Sequence, residues 1–197
     1  MRADLQVVAE LVHEGARVLD LGCGDGELLA HLKATGRAHG IGLEIDPARI
    51  TACLAKGVNV IEQDLNLGLG RFTNDAFDVV VMTETLQALR HPDEALREML
   101  RVGRECVVTF PNFGHWRCRL ALVAHGRMPV AKHLPHRWYD TPNIHLCTLR
   151  DFEQLCDSLG IHVVERFVLD PDHRSHPLIN LAPNLFGAVA FYRLGRR

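Results

Sequence analysis

Apolar residues in this chain fall into two kinds of run. Phe77-Asp78-Val79-Val80-Val81-Met82 and Cys106-Val107-Val108-Thr109-Phe110 are nearly continuous, the pattern of strands buried on both faces of a parallel sheet. Leu5, Val8, Leu11 and Val12 instead recur at spacings of three and four, which predicts a short opening helix. Strands are expected at 17–21, 39–44, 58–62, 77–83 and 105–110, with helical segments near 26–34, 47–56 and 92–102 between them. His91-Pro92-Asp93-Glu94 opens the last of these helices with proline and two acids in its first turn, as the helix dipole favours.

After the fifth strand the rhythm breaks, and Thr148-Leu149-Arg150-Asp151-Phe152-Glu153 restores a helix, with Thr148 as N-cap and Gly160 as its end. Ile161 to Leu169 and Ala188 to Leu194 read as two more strands, joined by the Pro/His/Asn-rich segment 170–186. The sum is a seven-stranded α/β sheet in a single domain over 1–197, with an insertion at about 111–147.

Asp20-Leu21-Gly22-Cys23-Gly24-Asp25-Gly26 lies between an apolar strand and the helix-like Glu27-Leu28-Leu29-Ala30. Glycines here allow positive φ and close approach of backbone to a ligand, and the free N–H groups of the new helix favour an anionic ligand group by about 0.3–1 kcal/mol. Dinucleotide turns read Gly-x-Gly-x-x-Gly, whereas these glycines stand at 22, 24 and 26, with Glu27 where the third dinucleotide glycine would be. With Asp20 two residues before the first glycine, the stretch resembles motif I of the class I S-adenosylmethionine-dependent methyltransferases.

A short apolar run ends in Glu44 about 20 residues later, where a Rossmann-type unit places a carboxylate on ribose hydroxyls. Two charge-assisted bonds there contribute roughly 1.5–3 kcal/mol each. Asp46, before Pro47, reads as an N-cap. The resemblance places an acid after the third strand as well, matched by Asp64, a candidate contact for the adenine amino group that would otherwise read as a turn residue. It implies a Rossmann-like class I methyltransferase sandwich, mostly parallel in the order 3-2-1-4-5-7-6, with helices on both faces and the last strand antiparallel. Cys23, Ile45, Leu65 and Thr83 join Asp20, Gly22, Gly24, Gly26, Glu44 and Asp64 in the cofactor-binding set that it implies, for S-adenosylmethionine or S-adenosylhomocysteine.

The chain has 197 residues, 47% of them hydrophobic, which suits one core burying about 70% of the unfolded surface. A formal charge of −2 gives no global case for nucleic acid or membrane binding. No run of 18 apolar residues and no secretory leader stand in the sequence, so a cytoplasmic address is expected. Cysteines at 23, 53, 106, 118, 147 and 156 form no Cys-x-x-Cys pair, which favours reduced thiols. Zinc on His145, Cys147, His115 and Cys118 is the alternative, but the usual ligand spacing is missing and no metal is expected.

From Cys106 through Tyr139 there is no Asp or Glu, while Arg117, Arg119, Arg127, Lys132, Arg137 and four histidines lie there. The words Pro111-Asn112-Phe113-Gly114-His115-Trp116-Arg117, Gly126-Arg127-Met128-Pro129-Val130 and Trp138-Tyr139-Asp140-Thr141-Pro142-Asn143-Ile144-His145-Leu146-Cys147 stand beside the glycine turn and Glu84-Thr85-Leu86-Gln87. Together they closely resemble the MetW family of methionine biosynthesis over essentially the whole chain. The resemblance implies a methyltransferase fold that partners a homoserine O-acyltransferase of the MetX type, the enzyme that activates homoserine. It names no methyl acceptor, and Thr83-Glu84-Thr85-Leu86 lacks the Asn/Asp-Pro-Pro-aromatic motif of amino-group methyltransferases on nucleic acid.

The insertion leaves the carboxyl end of the fifth strand, beside the expected crevice. As a lid it offers Asp140 or His145 as a general base, with Trp138 and Tyr139 lining an acceptor pocket of an active small-molecule methyltransferase. As a docking surface it offers aromatics and arginines, the residue types that anchor interfaces. Packing of the two tryptophans against a long loop is the third reading. RNA binding through the basic segment lacks any recognisable module.

Overall fold

The structure, a computed structural model, describes residues 2–172, 174 and 177–196. Its strands are β1 (Ala16–Leu21), β2 (Ala38–Glu44), β3 (Asn59–Glu62), β4 (Phe77–Thr83), β5 (Gly103–Pro111), β6 (Ile161–Leu169) and β7 (Val189–Arg196). They form one sheet in the order β3-β2-β1-β4-β5-β7-β6. Neighbours from β3 to β5 pair in parallel, and β7 runs antiparallel to both β5 and β6. The expected order and the reversed last strand are therefore present.

Helices α1 (Ala3–Leu11), α2 (Glu27–Ala34) and α3 (Pro47–Ala55) precede α4 (Pro92–Val102), α5 (Trp116–His125) and α6 (Leu149–Leu159). Two short helices follow, α7 (Pro177–Leu181) and α8 (Pro183–Phe186). Because strand side chains alternate, β1 sends Leu19 and Leu21 into one core with Leu96, Met99 and Phe152, and Val18 into the other with Val8, Leu28 and Leu32. β4 is buried on both faces from Val79 to Met82, as its continuous apolar run requires. Phe110, Phe152 and Tyr192 meet with ring centroids 4.6–5.8 Å apart, each ring fully buried. Such burial contributes roughly 1.5–3 kcal/mol per side chain.

The caps follow the residue types. Asp46 accepts the Ala48 N–H at 2.8 Å, and Thr148 and Asp151 complete a capping box at the head of α6. Gly160 ends that helix in the left-handed region.

The insertion departs from the sequence reading in one respect, because residues 116–125 form a regular helix, α5. Only Cys118 of that helix is fully buried, so its sequence shows no core-facing stripe from which it could be recognised. The insertion is a closed excursion. Phe113 N–H donates to the Cys147 carbonyl at 3.0 Å, and the N–H groups of Ile144 and His145 both reach the Gln87 carbonyl. Asn112, fully buried, donates to the Gly187 and Asn184 carbonyls at 2.7 and 3.2 Å and accepts from Gly114 N–H at 2.9 Å. The 170–186 connection contains α7 and α8, and three of its residues, 173, 175 and 176, lie outside the described residues.

Candidate functional site

β1 is the switch point of the sheet, with β2 on one side and β4 on the other. Crevices in such sheets open at the carboxyl ends of the strands there. A crevice of about 860 Å³ occupies this place, walled by the turn after β1, the ends of β2 and β4, and the segment after β3.

The turn itself is built from glycines. Gly22, Gly24 and Gly26 have φ of 73°, 58° and 76°, the left-handed region. At Gly26 a Cβ would lie 2.9 Å from Cys53 Sγ, so only glycine lets α2 start this close to α3. The Cys23 and Cys53 thiols stand 3.9 Å apart beneath the turn, and burial pushes both up, which keeps them protonated packing groups.

Glu44 fastens this turn from the end of β2. Its Oε2 accepts the Gly24 N–H at 2.9 Å, and Oε1 accepts the N–H groups of Ile45 and Asp46 at 2.8 and 3.0 Å. A carboxylate has about four lone-pair sites, so roughly one is left for a ligand hydroxyl. Taking both hydroxyls of a diol requires one backbone bond to yield. Arg49 Nη1 lies 3.8 Å from Oε2 and forms part of the crevice wall.

Asp20 is 2% exposed, and its Oδ1 has no hydrogen-bond partner among the described residues. Burial pushes its carboxyl up to about 7, and the Glu44 charge adds to the shift. Gln63 Oε1 is a second buried acceptor in the crevice wall without a hydrogen-bond partner among the described residues. Buried polar atoms are ordinarily satisfied, so these two fit a group that brings its own donors.

Asp64 does two things at once. Its Oδ1 accepts from the Asn66 N–H and Nδ2, each at 2.9 Å, capping the 3-10 turn Leu65–Leu67, while its Oδ2 makes no bond among the described residues. Ile45 presents an exposed apolar surface to the crevice, and Leu65 and Thr83 also line it. Asp20, Gly22, Cys23, Gly24, Glu44 and Asp64 are therefore in one wall with them, and Gly26 stands behind at the start of α2.

Asp140 and His145 are placed elsewhere. Asp140 is exposed and caps its own turn, with Oδ1 accepting the Arg137 N–H at 2.6 Å; His145 Nε2 lies 3.4 Å from the Arg90 carbonyl. Neither lines the crevice, nor do the exposed Trp138 and Tyr139. The insertion reaches the crevice through His136, Pro142 and Asn143 instead. Arg2 and Leu5 of the opening segment also line it, and Arg2 Nη2 approaches Glu84 Oε2 at 3.2 Å. Glu84 has φ of 53°, rare for a residue with a side chain, and its N–H donates to the Thr109 carbonyl at 3.0 Å. These were not read from the sequence, since no local pattern announces them.

Comparison with known proteins narrows the assignment. The family described as methionine biosynthesis protein MetW matches residues 2–194. The chain belongs to the MetW family. This chain is 36% identical over 208 residues to the bifunctional methionine biosynthesis protein MetXA/MetW of Rhodopirellula baltica. That alignment takes in 100% of this chain and 33% of the relative, so the chain spans about a third of its length. Among solved structures, an S-adenosylmethionine dependent methyltransferase from Mesorhizobium loti has TM-score 0.72 at 16% identity, covering 99% of this chain and 98% of that one. The cyclase SpnF has TM-score 0.69 at 18% identity, covering 98% and 80%. The chain thus has the Rossmann-like fold seen in S-adenosylmethionine-dependent methyltransferases.

Among the described residues no group of three or more His, Cys, Asp and Glu side chains gathers to hold a metal ion, and no helix is long and apolar enough to cross a membrane.

Proposed function

We propose that the crevice binds S-adenosylmethionine or S-adenosylhomocysteine, and that the loaded protein serves methionine biosynthesis as an accessory or regulatory partner of homoserine O-acyltransferase. The carrying observation for the ligand is the glycine turn clamped by Glu44 beside the buried Asp20, whose Oδ1 has no hydrogen-bond partner among the described residues. Asp20 offers its carboxyl to the ligand's ammonium, Glu44 its remaining lone pair to a ribose hydroxyl, Asp64 its Oδ2 to the adenine amino group, and Ile45 an apolar face to the ring. Bound S-adenosylmethionine supplies a methyl group on an electrophilic sulfonium. The partnership is supported by the Rhodopirellula baltica protein, whose name joins MetXA to MetW in one chain. Occupancy of the crevice would then report the pathway's end product to an early step, in the cytoplasm where both work.

Mixing the purified chain with a separate homoserine O-acyltransferase tests this reading. Co-elution and a several-fold rise in acyl transfer are expected; no complex together with an unchanged rate would overturn it.

A second reading, methyl transfer to a small molecule, is favoured by the size of the crevice and by Arg2, Glu84, His136 and Asn143 in its wall, which leave room and polar groups beyond those assigned above. Labelled methyl transfer into a metabolite extract is its readout, and silence across extracts counts against it. The fold itself does not decide, since it is shared by a methyltransferase and by a cyclase.

A further inference from the structure

α5 buries Cys118 but leaves most of its larger apolar side chains uncovered. Trp116, Leu120 and Val123, spaced i, i+4 and i+7, lie on one helix face and are 39%, 55% and 86% exposed. This is the anchor spacing by which one helix seats in a groove of another protein. Leaving such a stripe in water forgoes the burial that ordinarily stabilises a helix in a protein. The charged residues of this segment have one sign. Arg117 lies over the Trp116 ring at 5.3 Å, Arg119 stands on the helix and Arg127 just beyond its end, and no carboxylate occurs from 106 to 139.

We propose that this face of α5 is the surface on which the homoserine O-acyltransferase docks, seated in an apolar groove rimmed by carboxylates. The inference rests on the partnership proposed above and adds its location. Charge decides against a second copy of this chain as the occupant. A two-fold pairing of α5 with itself brings arginine against arginine, with no acid in the segment to meet them. Fusion to a MetXA segment, as in the Rhodopirellula baltica relative, keeps such a partner at high effective concentration. The crevice is reached from the insertion by His136, Pro142 and Asn143, so the docking helix and the ligand site share one excursion of chain tied at Asn112 and Cys147.

The test uses the full chain, the separate acyltransferase and the variant Leu120→Glu/Val123→Glu. Both positions are exposed and glutamate is a good helix former, so the fold is expected to hold. Affinity for the acyltransferase should fall roughly a hundredfold, while the melting temperature and the calorimetric affinity for S-adenosylhomocysteine stay at wild-type values. The wild-type complex should also weaken as salt rises. A variant that binds the acyltransferase as the wild type does overturns the α5 assignment and leaves the partnership standing. Wild-type chain that forms no complex overturns both. A wild-type dimer that the same variant dissolves makes α5 a self-interface and overturns the proposal.

Discussion

Replacing Asp20 with asparagine probes the electrostatic state of the crevice directly. The Asp20 carboxyl is pushed up to about 7 against an ordinary 3.8, because burial disfavours its charged form and Glu44 repels it. A raised folded-state value means that the folded protein binds this proton more tightly than the unfolded chain. The stabilisation is therefore complete below about pH 4 and is lost as pH rises through about 7. Roughly three pH units at about 1.36 kcal/mol each set a ceiling of about 4 kcal/mol on the loss. Asparagine keeps the size and cannot charge. Urea unfolding at a series of pH values should then show the stability of Asp20→Asn, measured relative to wild type, rising by a few kcal/mol between pH 4 and 8, with most of the rise before pH 7. Saturating S-adenosylhomocysteine should flatten this difference, because a ligand ammonium beside Asp20 favours the charged form. A difference independent of pH, or one of opposite slope, would refute the reasoning.

Other expectations follow from the same contacts. Glu44→Ala removes a ligand acceptor and strands the N–H groups of Gly24, Ile45 and Asp46, so calorimetry should show at least a tenfold loss of S-adenosylhomocysteine affinity, on the order of 1.4 kcal/mol; equal affinities would remove Glu44 from the site. Asn112→Ala leaves two carbonyls and one N–H unmet at the root of the insertion, and chemical denaturation should report a loss of about 1–3 kcal/mol. Thr148→Ala breaks the capping box of α6 at a cost of about 1 kcal/mol, seen as a fall of roughly 2–4 °C in melting temperature.

The parts of the molecule legible in the sequence are those governed by short-range rules. Buried parallel strands such as β4 leave continuous apolar runs, Asp46 and Thr148 sit where N-caps must, and a glycine turn after β1 needs glycine for its φ values. The candidate site was legible where it follows strand ends, at Asp20, Glu44 and Asp64. Arg2, His136 and Asn143 were not, because they reach the crevice from far along the chain and only folding brings them together, while Gln63 and Glu84 stand beside Asp64 and Thr83 but no local pattern turns them toward the crevice. α5 escaped because its apolar residues are not confined to one face: Cys118 and Leu122 lie off the stripe of Trp116, Leu120 and Val123, so no single core-facing stripe stands out. Glu44 also carried more than its position suggested: three of its lone pairs hold backbone, which no spacing rule reveals.

The central claim, that the crevice at the end of β1 is an adenosyl-ligand site, is tested most directly by calorimetric titration of S-adenosylhomocysteine into the wild-type chain. Saturable binding at one site per chain, lost or much weakened in Glu44→Ala, is predicted. A flat titration with well-folded wild-type protein would contradict it.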